Sequence, residues 1–391
     1  MSKTDDLLAS NTALPKLVIV GDCAVRLWSL SAIERHQRAF GRHGIQALRD
    51  QDRTPDKTII AVRADYLLSV DLVAAICKRA NTLLTDNKQK VAVAIHAPAA
   101  FEDHAVKLLQ QSDFGAQQDV IADLEVLGPI ELGSSYDNAL RKRAMPFALP
   151  YSTTSIDDLE RRTFGAAYKG ATDFVTKWCW PRPAREVTRW AAAHGISPNA
   201  ITTASLALVL LATWMFAQAY FLVALPIAWG MTFLDTVDGK LARVTLTSSA
   251  WGNIYDHGID LIHPPFWWWA WYVGVLPFAT PSVEKLLLPA LWVILAGYLV
   301  GRLLEGLFVL AFKIETHIWQ PVDSFFRTIT ARRNPNLAIL TIATLLGRPD
   351  FGFIAVATWT VISLIFHAIR LAQAGLLRLR GEPIVSWLIE D

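Results

Sequence analysis

Hydrophobic residues are distributed along this chain in two different ways. Up to about Ser197 they come in short runs among charges, whereas from Ile201 onward they fill long stretches. The short runs 17–20, 58–62 and 91–95 are separated by segments with helical spacing, an alternation that predicts a small α/β domain with a largely parallel sheet. A membrane-crossing helix needs roughly 20 apolar residues. The second half offers six candidates, at 201–219, 221–244, 252–275, 286–312, 337–346 and 351–374, of which the fifth is short. The expected architecture is an α-helical membrane bundle of about six transmembrane helices preceded by a small cytosolic α/β domain. Its parts are residues 1–150, a juxtamembrane stretch at 151–197 and the membrane part at 198–391.

Basic residues orient the spans. Lys169, Lys177, Arg182, Arg185 and Arg189 precede the first; Lys240 and Arg243 end the second; Lys313, Arg327, Arg332 and Arg333 fill the fourth connection; Arg378 and Arg380 follow the last. The opposite side has little beyond Lys285 and Arg348, so both termini are expected in the cytoplasm. Between the halves, residues 157–194 interleave apolar and basic positions. They read as amphipathic helices on the membrane surface, with Trp178, Trp180 and Trp190 at headgroup depth, or as a soluble helical linker. The aromatic run from Phe266 to Tyr272 reads as an interfacial belt, in preference to a crowded helix surface, and Pro264-Pro265 before it as a kink in the third span.

Composition agrees with a membrane protein carrying a soluble appendage. Of 391 residues, 53% are hydrophobic and 15 are Trp, with a mean hydropathy of +0.31. A formal charge of only +2 gives no reason to expect a nucleic-acid partner, whereas membrane lipids are expected ones. The first ten residues, MSKTDDLLAS, have no apolar core and do not read as a secretory signal. Cys23, Cys77 and Cys179 are too scattered for a metal site and fit reduced thiols.

Against this background the acids at 235–260 stand out. A carboxylate near a bilayer is costly without a metal, a partner or water, so intramembrane acids are functional candidates. On a helix Asp235, Asp238, Gly239 and Ala242 make one stripe, and Gly252, Asp256 and Asp260 make another. Consecutive helices joined by the short run 244–250 bring both stripes face to face. Four acids so close repel unless divalent cations lie between them, and hard oxygen ligands favour Mg²⁺, Mn²⁺ or Ca²⁺ over zinc. A pair of such ions is the usual device for attack at phosphorus. Gly239, Ala242 and Gly252 leave room on the same faces for a flat or bulky ligand. Within the spans, Arg302 and Glu305 are placed to pair with each other, and His263 lies nearly on the face of Asp256.

The pattern D-x2-D-G-x2-A-R-x8-G-x3-D-x3-D, filled from Asp235 to Asp260, resembles the CDP-alcohol phosphatidyltransferase family. The resemblance implies an enzyme in which an acceptor hydroxyl attacks the β-phosphorus of a CDP-alcohol and CMP leaves. It further implies that Asp235, Asp238 and Asp256 hold two Mg²⁺ or Mn²⁺ ions and that Asp260 is the general base, touching a metal as well. Pro198-Asn199-x-x-Thr202 is similar to the family's segment before its first membrane helix, which puts Asn199 and Thr202 near the nucleotide together with Gly239, Ala242 and Gly252. Basic residues that hold an acceptor phosphate in one branch would correspond to Arg302 or Arg370, and a homodimer is expected. The first 150 residues are similar to a sugar nucleotidyltransferase around Val20-Gly21-Asp22 and Val62–Asp65, with the glycine-rich loop reduced to Gly21, which favours a degenerate, non-catalytic or regulatory version over an active cytidylyltransferase. Two other classes of function compete: a transporter or ion-binding protein whose acids form a translocation site, and an inactive membrane scaffold with a regulatory N-terminal domain.

Overall fold

The computed structural model describes residues 14–46, 58–86, 91–111, 122–134, 136–137 and 140–389; the N-terminal ten residues read above lie outside them. The chain forms two compact units. One comprises residues 1–138, 143–167 and 244–246, the other 139–142, 168–243 and 247–391.

The first unit is built on five strands, β1 (Lys16–Val20), β2 (Thr58–Arg63), β3 (Thr82–Thr85), β4 (Ala92–Pro98) and β5 (Glu125–Leu127), in the order β1-β2-β4-β3-β5. Three helices accompany them, α1 (Ala32–Gly41), α2 (Val70–Lys78) and α3 (Glu102–Gln110). Ile60 and Val62 pack with Phe40, Leu72 and Ile76 on one face of the sheet. Ile59 and Ala61 pack with Ala105 and Leu108 on the other. Both faces of β2 are covered, which explains its unbroken apolar run. The expectation of a largely parallel sheet is corrected. β1 with β2 and β3 with β5 are parallel, but β4 is antiparallel to both of its neighbours. Only residues 86–91 join β3 to β4, too few for a crossover, so the chain turns back as a hairpin. A fourth helix, α4 (Ile156–Ala166), belongs to this unit and packs Phe164 on Trp28, whose Nε1 donates to Thr163 Oγ1 at 2.7 Å.

The second unit is helical: α5 (Pro181–Ala193), α6 (Pro198–Ala217), α7 (Phe221–Val244), α8 (Ala250–Val275), α9 (Pro281–Phe312), α10 (Pro321–Arg327), α11 (Arg333–Leu345) and α12 (Pro349–Leu379). Of these α6, α7, α9 and α12 are long and apolar enough to cross a membrane. α11 has 13 residues, about 20 Å of helix. α8 is long, but it carries Asp256, Asp260 and His263 and contains both prolines. Outward positions such as Leu210, Trp214, Leu299, Leu303, Leu310 and Ile365 are exposed and apolar, as in a multi-pass membrane protein. Of the three tryptophans expected at headgroup depth, Trp178 and Trp190 are exposed, while Trp180 packs edge-on against Trp229 and Phe233.

The aromatic run of α8 is not a belt. Trp267, Trp268 and Trp271 are buried and only Phe266 and Trp269 face outward, because the first three share a helix face directed into the bundle. Trp271 lies 4.9 Å from Phe216 and 4.6 Å from Phe221 between ring centroids. Close backbone approach holds this core together. A Cβ on Gly274 would fall 2.0 Å from the Phe216 carbonyl oxygen, and one on Gly297 2.3 Å from Thr360 Cγ2. The prolines remove two helical donors, and the Leu261 carbonyl that Pro265 cannot bond is taken by the Tyr298 hydroxyl at 2.9 Å. α8 thus continues through both prolines from Ala250 to Val275.

Candidate active site

The acids come from α7, which carries Asp235 and Asp238, and α8, which carries Asp256 and Asp260. Carboxylate oxygens of Asp235, Asp256 and Asp260 all lie within 4.8 Å of one another, close enough to share a cation. Three carboxylates in a half-buried cluster are a donor set suited to a hard divalent ion. Asp238 stands apart from this trio. It is 2% exposed and held on both oxygens, Oδ2 accepting from Thr202 Oγ1 at 2.6 Å and Oδ1 from the Gly239 amide at 2.5 Å.

The small residues of the two stripes lie next to polar ones. A Cβ on Gly252 would meet Asn199 Oδ1 at 2.9 Å, so the glycine lets the start of α6 approach α8. Gly252 donates its amide to Ser249 Oγ, the cap of α8, at 3.0 Å. A Cβ on Gly239 would meet Arg243 Nη2 at 3.1 Å. Ala242 accepts from the Thr247 amide at 2.9 Å in the turn that reverses the chain toward α8. Asn199, Thr202, Asp238 and Gly252 are thereby linked by contacts through the first turns of α6 and α8.

Sequence reasoning passed over Arg333, which counted there only as a topological charge. Its Nη2 lies 2.5 Å from Asp235 Oδ2 and its Nη1 2.5 Å from Asp260 Oδ1. A signal was available: Arg332 and Arg333 open a helix, and cations at a helix N-terminus are unfavourable without an acid to offset the dipole. Arg332 finds its acid in Glu305, to which it donates on both oxygens.

A cavity of about 180 Å³ opens beside Asp260, and His263, Tyr298, Arg302, Glu305, Arg327 and His367 are among its lining. Arg302 and Glu305 pair as their spacing suggested, at 3.8 Å, and Arg302 stays 43% exposed over the Tyr298 ring. Glu305 Oε1 is also 3.3 Å from His317 Nε2. His317, between the spans, is pushed down to about 3, first by burial and then by the Arg332 charge, and is neutral. Arg327 is half-buried, and its buried Nε and Nη1 have no hydrogen-bond partner among the described residues. Arg302, Arg327 and Arg332 outnumber Glu305 and Asp173, so this end of the cavity suits an anion better than a metal. Arg370 is not in the lining. Its guanidinium is taken up by Asp323 at 2.6 and 2.8 Å, by Gln320 and by Gln373, and stacks over Trp319.

Comparison with known proteins agrees with the motif. Residues 195–362 match the model of the CDP-alcohol phosphatidyltransferase family. Cholinephosphotransferase 1 of Danio rerio is 29% identical over 129 residues, 30% of this chain and 32% of the relative. Archaetidylinositol phosphate synthase of Pyrococcus horikoshii is 36% identical over 80 residues, 20% of this chain and 42% of the relative. The chain thus spans less than half the length of the curated relatives it matches. The match to the CDP-alcohol phosphatidyltransferase family model runs through the acid-bearing helices and those that follow them, from residue 195 to residue 362.

Proposed function

We propose that this protein transfers a substituted phosphate from a CDP-alcohol to a hydroxyl acceptor, releasing CMP, in the synthesis of a phospholipid or a polyol phosphodiester. The observation that carries the reading is the gathering of Asp235, Asp256 and Asp260 on facing helices within a matched family domain. In this reading Asp235, Asp238 and Asp256 hold two Mg²⁺ or Mn²⁺ ions, which supply charge neutralisation for the pyrophosphate and improve CMP as a leaving group. Asp260 accepts the acceptor's proton as its oxygen forms the new bond to phosphorus and the bond from phosphorus to CMP breaks. The position of Asp260, on the cavity wall and in the acid cluster at once, supports that role.

Asn199, Thr202, Gly239, Ala242 and Gly252 receive the nucleotide. The contact of Asn199 with the face of Gly252 and the bond of Thr202 to Asp238 support their grouping. Of the two arginines considered for an acceptor phosphate, Arg302 is the better placed, since it lines the cavity while Arg370 is consumed by Asp323. Six spans, a cytoplasmic site with both termini on that side, and a homodimer complete the proposal, with a degenerate nucleotidyltransferase-like domain at the N-terminus. The test is CMP release by the purified protein with Mg²⁺ or Mn²⁺ from a panel of donors including CDP-choline, CDP-diacylglycerol and CDP-inositol. No release with any of them removes this reading.

A further inference from the structure

Arg333 touches two of the three clustered acids and lines the adjoining cavity as well. The backbone explains how. Arg332 is extended, with φ −126 and ψ 178, so the two neighbouring side chains leave the chain in different directions, one to Glu305 and the other to Asp235 and Asp260. The guanidinium of Arg333 is engaged with both oxygens of Asp235, at 3.4 and 2.5 Å, and with Oδ1 of Asp260. Among the described residues Asp256 makes no such bond with Arg333, and its carboxylate lies 3.6 Å from His257 Nδ1. Those bonds occupy the same lone pairs that a divalent cation needs. A guanidinium and a metal ion on the same oxygens repel each other, so the two compete for them.

We propose that Arg333 is a built-in counter-cation of the acid cluster and a positioning residue for the transfer reaction. It keeps Asp235 and Asp260 together, gives them up as divalent cations bind, and turns its guanidinium into the cavity beside Asp260. Its release frees Oδ1 of Asp260, the oxygen that Arg333 otherwise occupies, and adds a cation to the wall that meets the anionic part of the substrates. Site loading and cavity charging become one event. This inference rests on the assignment of the acid cluster as the metal site and goes beyond it in giving Arg333 a competing role.

The test is Mn²⁺ binding to the full-length protein in detergent, followed by the electron paramagnetic resonance of the free ion. Arg333→Gln removes the competitor, and its Kd for Mn²⁺ is expected to fall about tenfold below that of the parent. Arg333→Lys, which keeps the charge but cannot fork between two carboxylates, is expected to fall between them and serves alone if the Gln variant does not fold. An affinity unchanged or weakened in whichever of the two folds overturns the competition. At saturating Mn²⁺ the Gln variant is expected to keep a reduced kcat for CMP release, since its cavity lacks the cation; a kcat equal to the parent's overturns the second role. Asp256→Asn separates the two ideas. Loss of Mn²⁺ binding there with no gain in Arg333→Gln leaves the metal site standing and removes only Arg333, whereas retained binding removes both.

Discussion

Thr202 Oγ1 donates to Asp238 Oδ2 across 2.6 Å, joining the first turn of α6 to the middle of the acid motif on α7. The bond is buried and the acceptor is a carboxylate, so removing the donor leaves a desolvated charge short of one partner. Thr202→Val is expected to destabilise the protein by about 2 kcal/mol. It should also weaken Mn²⁺ binding, because Asp238 is no longer held. Thr202→Ser, which keeps the hydroxyl, should restore both. Thermal unfolding in detergent together with Mn²⁺ titration reads the pair of effects.

Asp260 is the acid that belongs to both the cluster and the cavity wall. Asp260→Asn keeps the shape and removes the proton acceptor, so transfer is expected to fall by about 10²- to 10⁴-fold while CDP-alcohol still binds. CMP release measured beside calorimetric binding of the donor separates the two. A fully active variant would reassign the base.

How far these positions could be read in advance depended on what kind of physics placed them. Asp235, Asp256 and Asp260 were legible because helical spacing and a short connection leave little freedom in where two adjacent stripes meet. The short strands of the first unit were legible as apolar runs, yet their direction was not. Antiparallel pairing at β4 is decided by the length of one connection, which the run pattern does not weigh. Arg333 and Arg327 were missed as site residues for another reason. Arg333 lies 73 to 98 residues along the chain from the acids it pairs with, and only tertiary packing brings it to them, as it brings Arg327 to the cavity wall. Trp267, Trp268 and Trp271 show the reverse error, where composition pointed to the membrane interface and helical phase pointed inward.

Gly252 is expected to matter to donor binding more than to chemistry. Its missing Cβ leaves Asn199 Oδ1 its position, and Gly252→Ala would place a carbon 2.9 Å from that oxygen. Asn199 must then swing away. KM for the CDP-alcohol should rise by about tenfold with a smaller change in kcat, as expected when a ground-state contact is lost. Gly258, on the same helix with nothing within 4 Å of its would-be Cβ, is the matched control, and Gly258→Ala should leave KM unchanged.

The first unit carries a pH dependence of its own. His36 is 4% exposed, and its Nε2 donates to the Tyr66 carbonyl at 3.0 Å. Burial first, and then the Arg35 charge, push its pKa down to about 4. An unfolded histidine titrates near 6.5, so the unfolded chain binds this proton more readily. The sign follows: the stability is full above about pH 6.5, falls as pH drops toward 4, and is level again below it. Between about pH 7.5 and about pH 5 the unit should lose about 2 kcal/mol from this group. Hydrogen exchange of the β2 amides, Ile59 to Val62, measured on the intact protein at both pH values reports that loss as faster exchange after correction for the intrinsic rate. His36→Gln can keep the donor to Tyr66 without taking up a proton, so its exchange should depend less on pH; an unchanged dependence would place the sensitivity elsewhere.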